Sequence, residues 1–136
     1  MVVDTSALVA ILLREAEAPV FETALAAAPI RLISAVTRVE LSFVIEGRKG
    51  EAGRADLELL LQQGDFEVAA VTPQQAGYAI EAFRRFGKGR HRAGLNIGDC
   101  FSYALAKASD QPLLFKGDDF TRTDIRPAVP AAEGRV

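Results

Sequence analysis

Short apolar segments that alternate with stretches of helical spacing constrain the fold of this chain more than any other feature. Strands are predicted over Met1–Val3, Ile30–Ile33, Phe66–Val71 and Leu113–Phe115, with a possible short fifth strand at Ile125. Strands that alternate with helices favour an α/β domain with a parallel sheet. The first and fourth segments are apolar throughout, which is typical of strands at the centre of such a sheet.

Helices are expected between these strands. They are predicted over Ala7–Leu13, Glu15–Ala28, Val36–Glu46, Ala55–Gln63, Pro73–Phe86 and Asn96–Ser109. A polar turn is expected over Gly47–Gly53, and another turn over Lys116–Phe120. We therefore predict a single domain over residues 1–126. Residues 127–136, which contain two prolines and several small residues, are predicted to form a loose C-terminal tail.

Composition and charge narrow the possible functions. The 136 residues suffice for one domain with a core, and a net charge of −2 excludes a generally polycationic nucleic-acid binder. Cys100 and His91 are the sole residues of their types, which excludes an internal disulfide and leaves a zinc site short of its usual ligands. The apolar run at the N-terminus is interrupted by Asp4 and is too short to cross a bilayer, so we expect a cytoplasmic protein without membrane association.

Acidic residues occur where apolar sequence would otherwise continue. Asp4 ends the first strand, Glu40 shares a helix face with apolar residues, Asp99 lies in the first turn of its helix, and Asp118 and Asp119 follow the fourth strand. Because the carboxyl ends of parallel strands meet at one edge of a sheet, these acids can converge there. Oxygen ligands without histidine or cysteine suit Mg²⁺ or Mn²⁺, and such a site can support phosphoryl chemistry.

Each acid also has an ordinary structural interpretation. Asp4 can be only a helix N-cap, and Asp99 can complete a capping box with Asn96. The pair Asp118–Asp119 suits a turn, and Glu40 can extend to solvent or form an ion pair with Arg38 or Arg48. The prediction of a metal site therefore depends on the arrangement of the acids along the fold and not on any one of them.

A basic segment precedes Asp99 by a few residues. It contains Arg84, Arg85, Lys88, Arg90, His91 and Arg92, separated by two glycines. A solvated positive face is the simpler interpretation. Beside a cluster of acids, however, such a loop would attract a phosphate backbone, and we predict that Arg90 and Arg92 bind RNA.

Four segments resemble the motifs of the PIN-domain family, in particular its VapC-type toxins. Met1–Leu8 is similar to the first motif, an apolar strand followed by Asp-Thr-Ser-Ala, and Thr37–Leu41 is similar to the second, with its helical glutamate. Leu95–Cys100 resembles the third motif and Leu113–Phe120 the fourth. The four segments occur in the family's order and spacing and cover nearly the whole chain up to about Ile125.

The resemblance implies a three-layer α/β/α fold with a central, mainly parallel sheet of four or five strands. It also implies that Asp4, Glu40, Asp99 and Asp119 form the catalytic and metal-binding set, with Asp118 as the alternative to Asp119. In this interpretation Asp4 and Asp99 bind the principal ion. The substrate-binding set is predicted to include Thr5, Ser6 and Asn96, with the two hydroxyl residues orienting Asp4 or a phosphate and Asn96 holding a phosphate or a ligand carboxylate.

The resemblance further implies a Mg²⁺-dependent single-strand endoribonuclease, with Mn²⁺ as a possible substitute, that hydrolyses structured RNA such as tRNA or rRNA by attack of a metal-activated water. Such a protein would be the toxin of a type II toxin–antitoxin system. It would form a homodimer and bind a VapB-like antitoxin. Apolar residues of the first two helices could belong to the core or to a groove for that partner: Leu8, Val9, Ile11, Leu12, Val20 and Phe21.

Other classes fit less well. An aspartyl-phosphate phosphatase needs a second aspartate two residues after Asp4, where this chain has Ser6. A phospho-receiver domain needs an aspartate at the end of the third strand, and Phe66–Val71 supplies none. A DNA-directed nuclease of related fold usually has a larger chain. A catalytically inactive PIN-like module that binds RNA or protein remains the alternative.

Overall fold

A four-stranded parallel sheet lies at the centre of the computed structural model, which describes residues 1–130. The strands are β1 (Val2–Val3), β2 (Leu32–Ser34), β3 (Glu67–Ala69) and β4 (Leu113–Leu114). Their order in the sheet is β3-β2-β1-β4, and all three neighbouring pairs are parallel. The predicted α/β architecture with a parallel sheet is confirmed.

Helices cover both faces of this sheet. They are α1 (Thr5–Leu12), α2 (Ala18–Ala27), α3 (Ala35–Gln63), α4 (Pro73–Phe86) and α5 (Ile97–Ser109), with a short 3₁₀ helix over Asp119–Arg122. Successive strand residues point to opposite faces. Val2 and Leu113 therefore pack with α4 and α5, whereas Val3 and Leu114 pack with α1, α2 and α3. These two cores give the predicted three-layer α/β/α fold.

Polar side chains cap four of the five α-helices named above. The side chains of Asp4, Ser34 and Thr72 accept hydrogen bonds from backbone N–H groups in the first turns of α1, α3 and α4. Asn96 does the same for α5. The caps satisfy N–H groups that have no partner inside the helix, and they place helix N-termini at the carboxyl edge of the sheet.

The break predicted over Gly47–Gly53 is present, but it is a kink at one residue and not a polar turn. Helix α3 continues through this segment, and only Gly50, with φ 59° and ψ −145°, departs from helical geometry. Ile45 before the kink and Leu57 after it are buried in the same core. Packing on both sides of the kink therefore outweighs the weak helix propensity of the glycines.

The region around β4 also differs from the prediction. β4 lies at the edge of the sheet instead of its centre. In place of a fifth strand, the described chain forms one parallel bridge between Leu113 and Pro127. The Leu113 N–H donates to Arg126 O at 2.9 Å, and the Ala128 N–H donates to Leu113 O at 2.8 Å. This segment covers the outer side of β4, which explains why an edge strand has a wholly apolar sequence.

Two smaller points concern the remaining boundaries. Helix α2 begins at Ala18 and not at Glu15, with Pro19 in its first turn, where a missing N–H is tolerated. The predicted tail over 127–136 is described only as far as Pro130, and within that part Ala128 and Val129 pack against the core. No helix within residues 1–130 is both long enough and apolar enough to cross a bilayer.

Candidate active site

Asp4 lies at the carboxyl end of β1 and is buried. Its backbone N–H donates to Leu114 O at 2.9 Å, which fixes it between β1 and β4. Its Oδ2 accepts hydrogen bonds from the N–H and the hydroxyl of Ser6, at 3.1 and 2.7 Å, and its Oδ1 accepts one from the hydroxyl of Ser102 at 2.6 Å. Asp4 is therefore a helix N-cap, and it is also a buried carboxylate whose two oxygens are held from different helices.

Asp99 forms the capping box that the sequence offered as its structural role. The Asn96 side chain accepts the Asp99 N–H at 2.9 Å, and the Asp99 Oδ2 accepts the Asn96 N–H at 3.0 Å. Burial and then the charge of Asp4 raise the pKa of Asp99 to about 7, and Asp119 and Glu40 add to this effect. The Asn96 hydrogen bond opposes it. The other three acids are therefore close enough to Asp99 to act on its charge.

Glu40 reaches the same region from α3. The Thr5 hydroxyl donates to Glu40 Oε1, whereas Arg38 pairs with Glu58 and does not form the alternative ion pair. The carboxylate also lies against Gly98 in the first turn of α5, where an added Cβ would lie 2.7 Å from Oε1 and 2.8 Å from Cδ. Only glycine leaves room for this contact, which brings Glu40 beside the helix that carries Asp99.

The fourth motif ends in the short 3₁₀ helix. Asp118 precedes this helix and Asp119 is its first residue. The charge of Asp119 contributes to the raised pKa of Asp99. The acid cluster is defined here as Asp4, Glu40, Asp99 and Asp119, and Asp118 stays the alternative to Asp119.

Neutral hydrogen-bond donors hold three of the four carboxylates of the acid cluster. Within residues 1–130, no three His, Cys, Asp or Glu side chains are arranged to hold one ion together. Ser6 donates to Asp4, as expected for an orienting residue, whereas the Thr5 hydroxyl donates to Glu40 and the Asn96 N–H donates to Asp99. The all-oxygen donors and the crowded negative charge at Asp99 are the chemistry that Mg²⁺ or Mn²⁺ requires.

The basic segment spans the last turn of α4, with Arg84 and Arg85, and the loop that leads from there into α5. The Lys88 N–H donates to Leu95 O, and the Leu95 N–H donates to Phe86 O, both at 2.9 Å. Arg90 and Arg92 are exposed on this loop, and the Arg90 guanidinium lies 5.0 Å from the centre of the Phe83 ring. The loop therefore presents positive charge a few residues from the capping box of Asp99.

Sequence reasoning missed two residues of this site. Gly98 permits the approach of Glu40, and Ser102 donates to Asp4 from one turn further along α5. Ser102 lies three residues after Asp99, so a polar residue on the acid-bearing face of an Ala-rich helix was the available signal.

The fold and the acid cluster define the class of the protein, and comparison with known proteins agrees. Residues 1–126 match the model of the PIN domain, so the chain belongs to the PIN-domain family. A ribonuclease VapC from Mycolicibacterium smegmatis is 55% identical over 125 residues, which cover 92% of this chain and 97% of that protein. This similarity groups the chain with the VapC-type ribonucleases and confirms the resemblance that the four motifs predict.

Two solved structures share the fold. The crystal structure of VapC20 from Mycobacterium tuberculosis, described as a sarcin–ricin loop cleaving toxin, has a TM-score of 0.74 at 18% identity and covers 91% of this chain and 95% of that one. The crystal structure of VapBC2 from Rickettsia felis, bound to a DNA fragment from the promoter, has a TM-score of 0.73 at 15% identity. The match covers 93% of this chain and 94% of that one.

Proposed function

We propose that the chain is a Mg²⁺-dependent endoribonuclease that cleaves single-stranded regions of structured cellular RNA, such as tRNA or rRNA. Mn²⁺ is expected to replace Mg²⁺. The observation that carries the proposal is the convergence of acids from three elements: Asp4 at the end of β1 accepts a hydrogen bond from α5, and Glu40 on α3 lies against the first turn of α5, which contains Asp99. Carboxylates are brought together against their own repulsion at sites that bind a divalent cation.

The acid cluster supplies the proposed ligands. Asp4 and Asp99 would hold the principal ion, and Glu40 and Asp119 would complete its surroundings. A divalent cation bound there would supply counter-charge, activate water as a nucleophile and stabilise charge on the phosphodiester. The hydroxyls of Thr5 and Ser6 and the backbone N–H of Asn96 donate hydrogen bonds to these carboxylates.

Cleavage of purified RNA tests the reaction. Wild-type protein free of any co-purified inhibitor should give discrete fragments with Mg²⁺ or Mn²⁺ and none with EDTA. Asp99→Asn should abolish cleavage, while Asp56→Asn, an exposed aspartate on α3, should not. A well-folded wild type that cleaves no RNA with either ion would favour the alternative, a PIN-like module that only binds RNA or protein.

The identity of the fourth acid needs a paired test. Asp119→Asn is expected to lower cleavage strongly, because Asp119 lies within electrostatic range of Asp99. The matched change Asp118→Asn alters the neighbouring carboxylate in the same turn. A larger loss in Asp118→Asn than in Asp119→Asn would assign the role to Asp118.

Arg90 and Arg92 are the proposed contacts to the RNA backbone. Changing both to glutamine should weaken binding of a single-stranded RNA measured in EDTA, without loss of fold. The slope of log affinity against log salt should fall by about 0.7 for each lost phosphate contact. The double change Arg48→Gln and Arg54→Gln on the exposed side of α3 is the control. Equal affinities for the two double variants would refute the assignment.

A VapB-like antitoxin is the proposed protein partner. A groove of about 420 Å³ runs between α2 and the segment after β4, with Val20 half exposed at its side and Lys116 at its rim. The amide of Lys116 donates to the Ser6 hydroxyl at 3.0 Å, so the groove adjoins the acid cluster. An antitoxin helix seated there could reach the acid cluster.

Expression of this chain without an antitoxin should arrest growth from the cytoplasm, and Asp4→Ala should abolish that arrest.

A homodimer is proposed through the apolar surface of α3, α4 and α5. Phe43 and Ile97 are 76% and 75% exposed, and Val39 and Ile80 are about half exposed. Ile97 lines two neighbouring grooves, so this apolar surface is continuous. Exposed apolar patches of this kind mark protein contacts. Phe43→Ser should convert a dimer to a monomer in light scattering, whereas an unchanged mass would exclude this surface.

A further inference from the structure

A fully buried hydroxyl on α5 contacts one of the proposed catalytic acids. Ser102 is 0% exposed, and its Oγ donates to Asp4 Oδ1 at 2.6 Å across 98 positions of sequence. Ser102 lies among apolar residues in an Ala-rich helix, where alanine would pack without any need for a polar partner. The hydroxyl therefore has a specific contact and not a general packing role.

The direction of the hydrogen bonds that Ser102 makes follows from the single proton on its hydroxyl group. A serine hydroxyl has one proton, and a carboxylate can only accept, so the Ser102 proton points to Asp4. Thr37 Oγ1 lies 3.4 Å from Ser102 Oγ and is also buried. Thr37 must then be the donor in that contact. The donor chain runs from Thr37 on α3 through Ser102 on α5 to Asp4 at the end of β1.

This chain of donors fixes both oxygens of Asp4. Ser6 holds Oδ2 from α1, and Ser102 holds Oδ1 from α5. Rotation of the carboxylate would break at least one of these contacts. Ser102 also lies three residues after Asp99 on the same helix face, so its contact sets the position of α5, and hence of Asp99, relative to Asp4.

We propose that Ser102 is a positioning residue for RNA cleavage. Its hydroxyl holds the Asp4 carboxylate in the orientation in which Asp4 and Asp99 bind a divalent cation together. The inference rests on the proposed function, because it gives Ser102 a role only through the acid cluster. Outer partners of metal ligands typically change metal affinity or activity by about 10- to 100-fold.

The test compares two serine-to-alanine changes on one helix. Ser102→Ala removes the donor to Asp4, whereas Ser109→Ala removes a hydroxyl that donates to Leu105 O at 2.6 Å, two turns away. Mn²⁺ binding is measured from the electron paramagnetic resonance signal of the free ion. The kinetic constants kcat and KM are measured with RNA. Ser102→Ala should bind Mn²⁺ about tenfold more weakly and lower kcat by about 10- to 100-fold, with KM within about twofold. Ser109→Ala should match wild type in all three.

Ser102→Cys keeps the experiment decisive if the alanine variant does not fold. Cysteine is similar in size but donates weakly, so Mn²⁺ affinity and kcat should fall between those of serine and alanine. Wild-type values in folded Ser102→Ala, or in Ser102→Cys, would overturn the inference and leave the proposed function intact. Wild-type protein that neither binds Mn²⁺ nor cleaves RNA would overturn the proposed function and the inference with it.

Discussion

Replacing Asp99 by asparagine should stabilise the metal-free protein at neutral pH while it abolishes cleavage. The pKa of Asp99 is raised from 3.8 to about 7, first by burial and next by the charge of Asp4. Between these two pH values the folded state binds more protons than the unfolded state, so stability falls as pH rises. Asparagine has no charge to lose, and its amide oxygen can still accept the Asn96 N–H that Asp99 accepts at 3.0 Å.

The size of the effect follows from the pKa. A change from 3.8 to about 7 corresponds to roughly 4 kcal/mol at 1.36 kcal/mol for each pKa unit. Asp99 is partly exposed, and solvent screening reduces the expected gain to about 1–2 kcal/mol. For a domain of this length, that gain corresponds to a Tm increase of about 3–8 °C. The gain should be complete above pH 7 and absent near pH 4.

Thermal unfolding at pH 4.5 and pH 8, with EDTA and with Mg²⁺, measures both parts of the argument. At pH 8 in EDTA, Asp99→Asn should melt above wild type, and at pH 4.5 the two should agree. Saturating Mg²⁺ should raise the wild-type Tm and leave the variant nearly unchanged, because the ion neutralises the repulsion that asparagine removes. A Tm difference that is independent of pH, or one that Asp56→Asn reproduces, would refute the electrostatic explanation.

Two further predictions concern glycines. Gly98→Ala should lower RNA cleavage at least about tenfold, because its Cβ would meet the Glu40 carboxylate at 2.7 Å, whereas Gly77→Ala in α4, with no atom within 4 Å, should keep activity and add about 0.5–1 kcal/mol of stability. Gly50→Ala should cost about 1–3 kcal/mol in urea unfolding, because its φ of 59° with ψ of −145° disfavours any side chain, and Gly47→Ala should instead stabilise helix α3. A gain in stability from Gly50→Ala would show that the kink is not needed.

The parts of the fold that could be predicted from sequence are those set by local pattern. The apolar strand before Asp4 and the helix caps at Ser34 and Asn96 are visible as residue types at fixed spacing. Parallel pairing then places the ends of β1 and β4 together without further information. The approach of Asp4 to the turn that contains Asp118 and Asp119 could therefore be predicted.

The parts that could not be predicted depend on contacts between distant elements. Ser102 lies on the same helix face as Asp99, but its partner Asp4 lies 98 positions away, so the helix pattern alone does not identify that contact. Gly98 looks like an ordinary helix-start glycine until Glu40 is placed against it. The predicted turn over Gly47–Gly53 is reduced to a kink at Gly50 for the same reason, since the burial of Ile45 and Leu57 is a property of the packed core.

The choice of neutral donors explains how the acid cluster can hold like charges together and still attract a cation. Among residues 1–130, the ion pairs involve none of the four acids, and nearby cations are paired elsewhere, as Lys116 is with Glu15 and Glu17. An arginine or lysine within the cluster would orient the carboxylates but would also cancel the charge that draws in a divalent ion. Hydroxyl and amide donors give orientation without that cancellation. Burial is the first cause of the raised pKa of Asp99, and the uncompensated repulsion from the other acids adds to it.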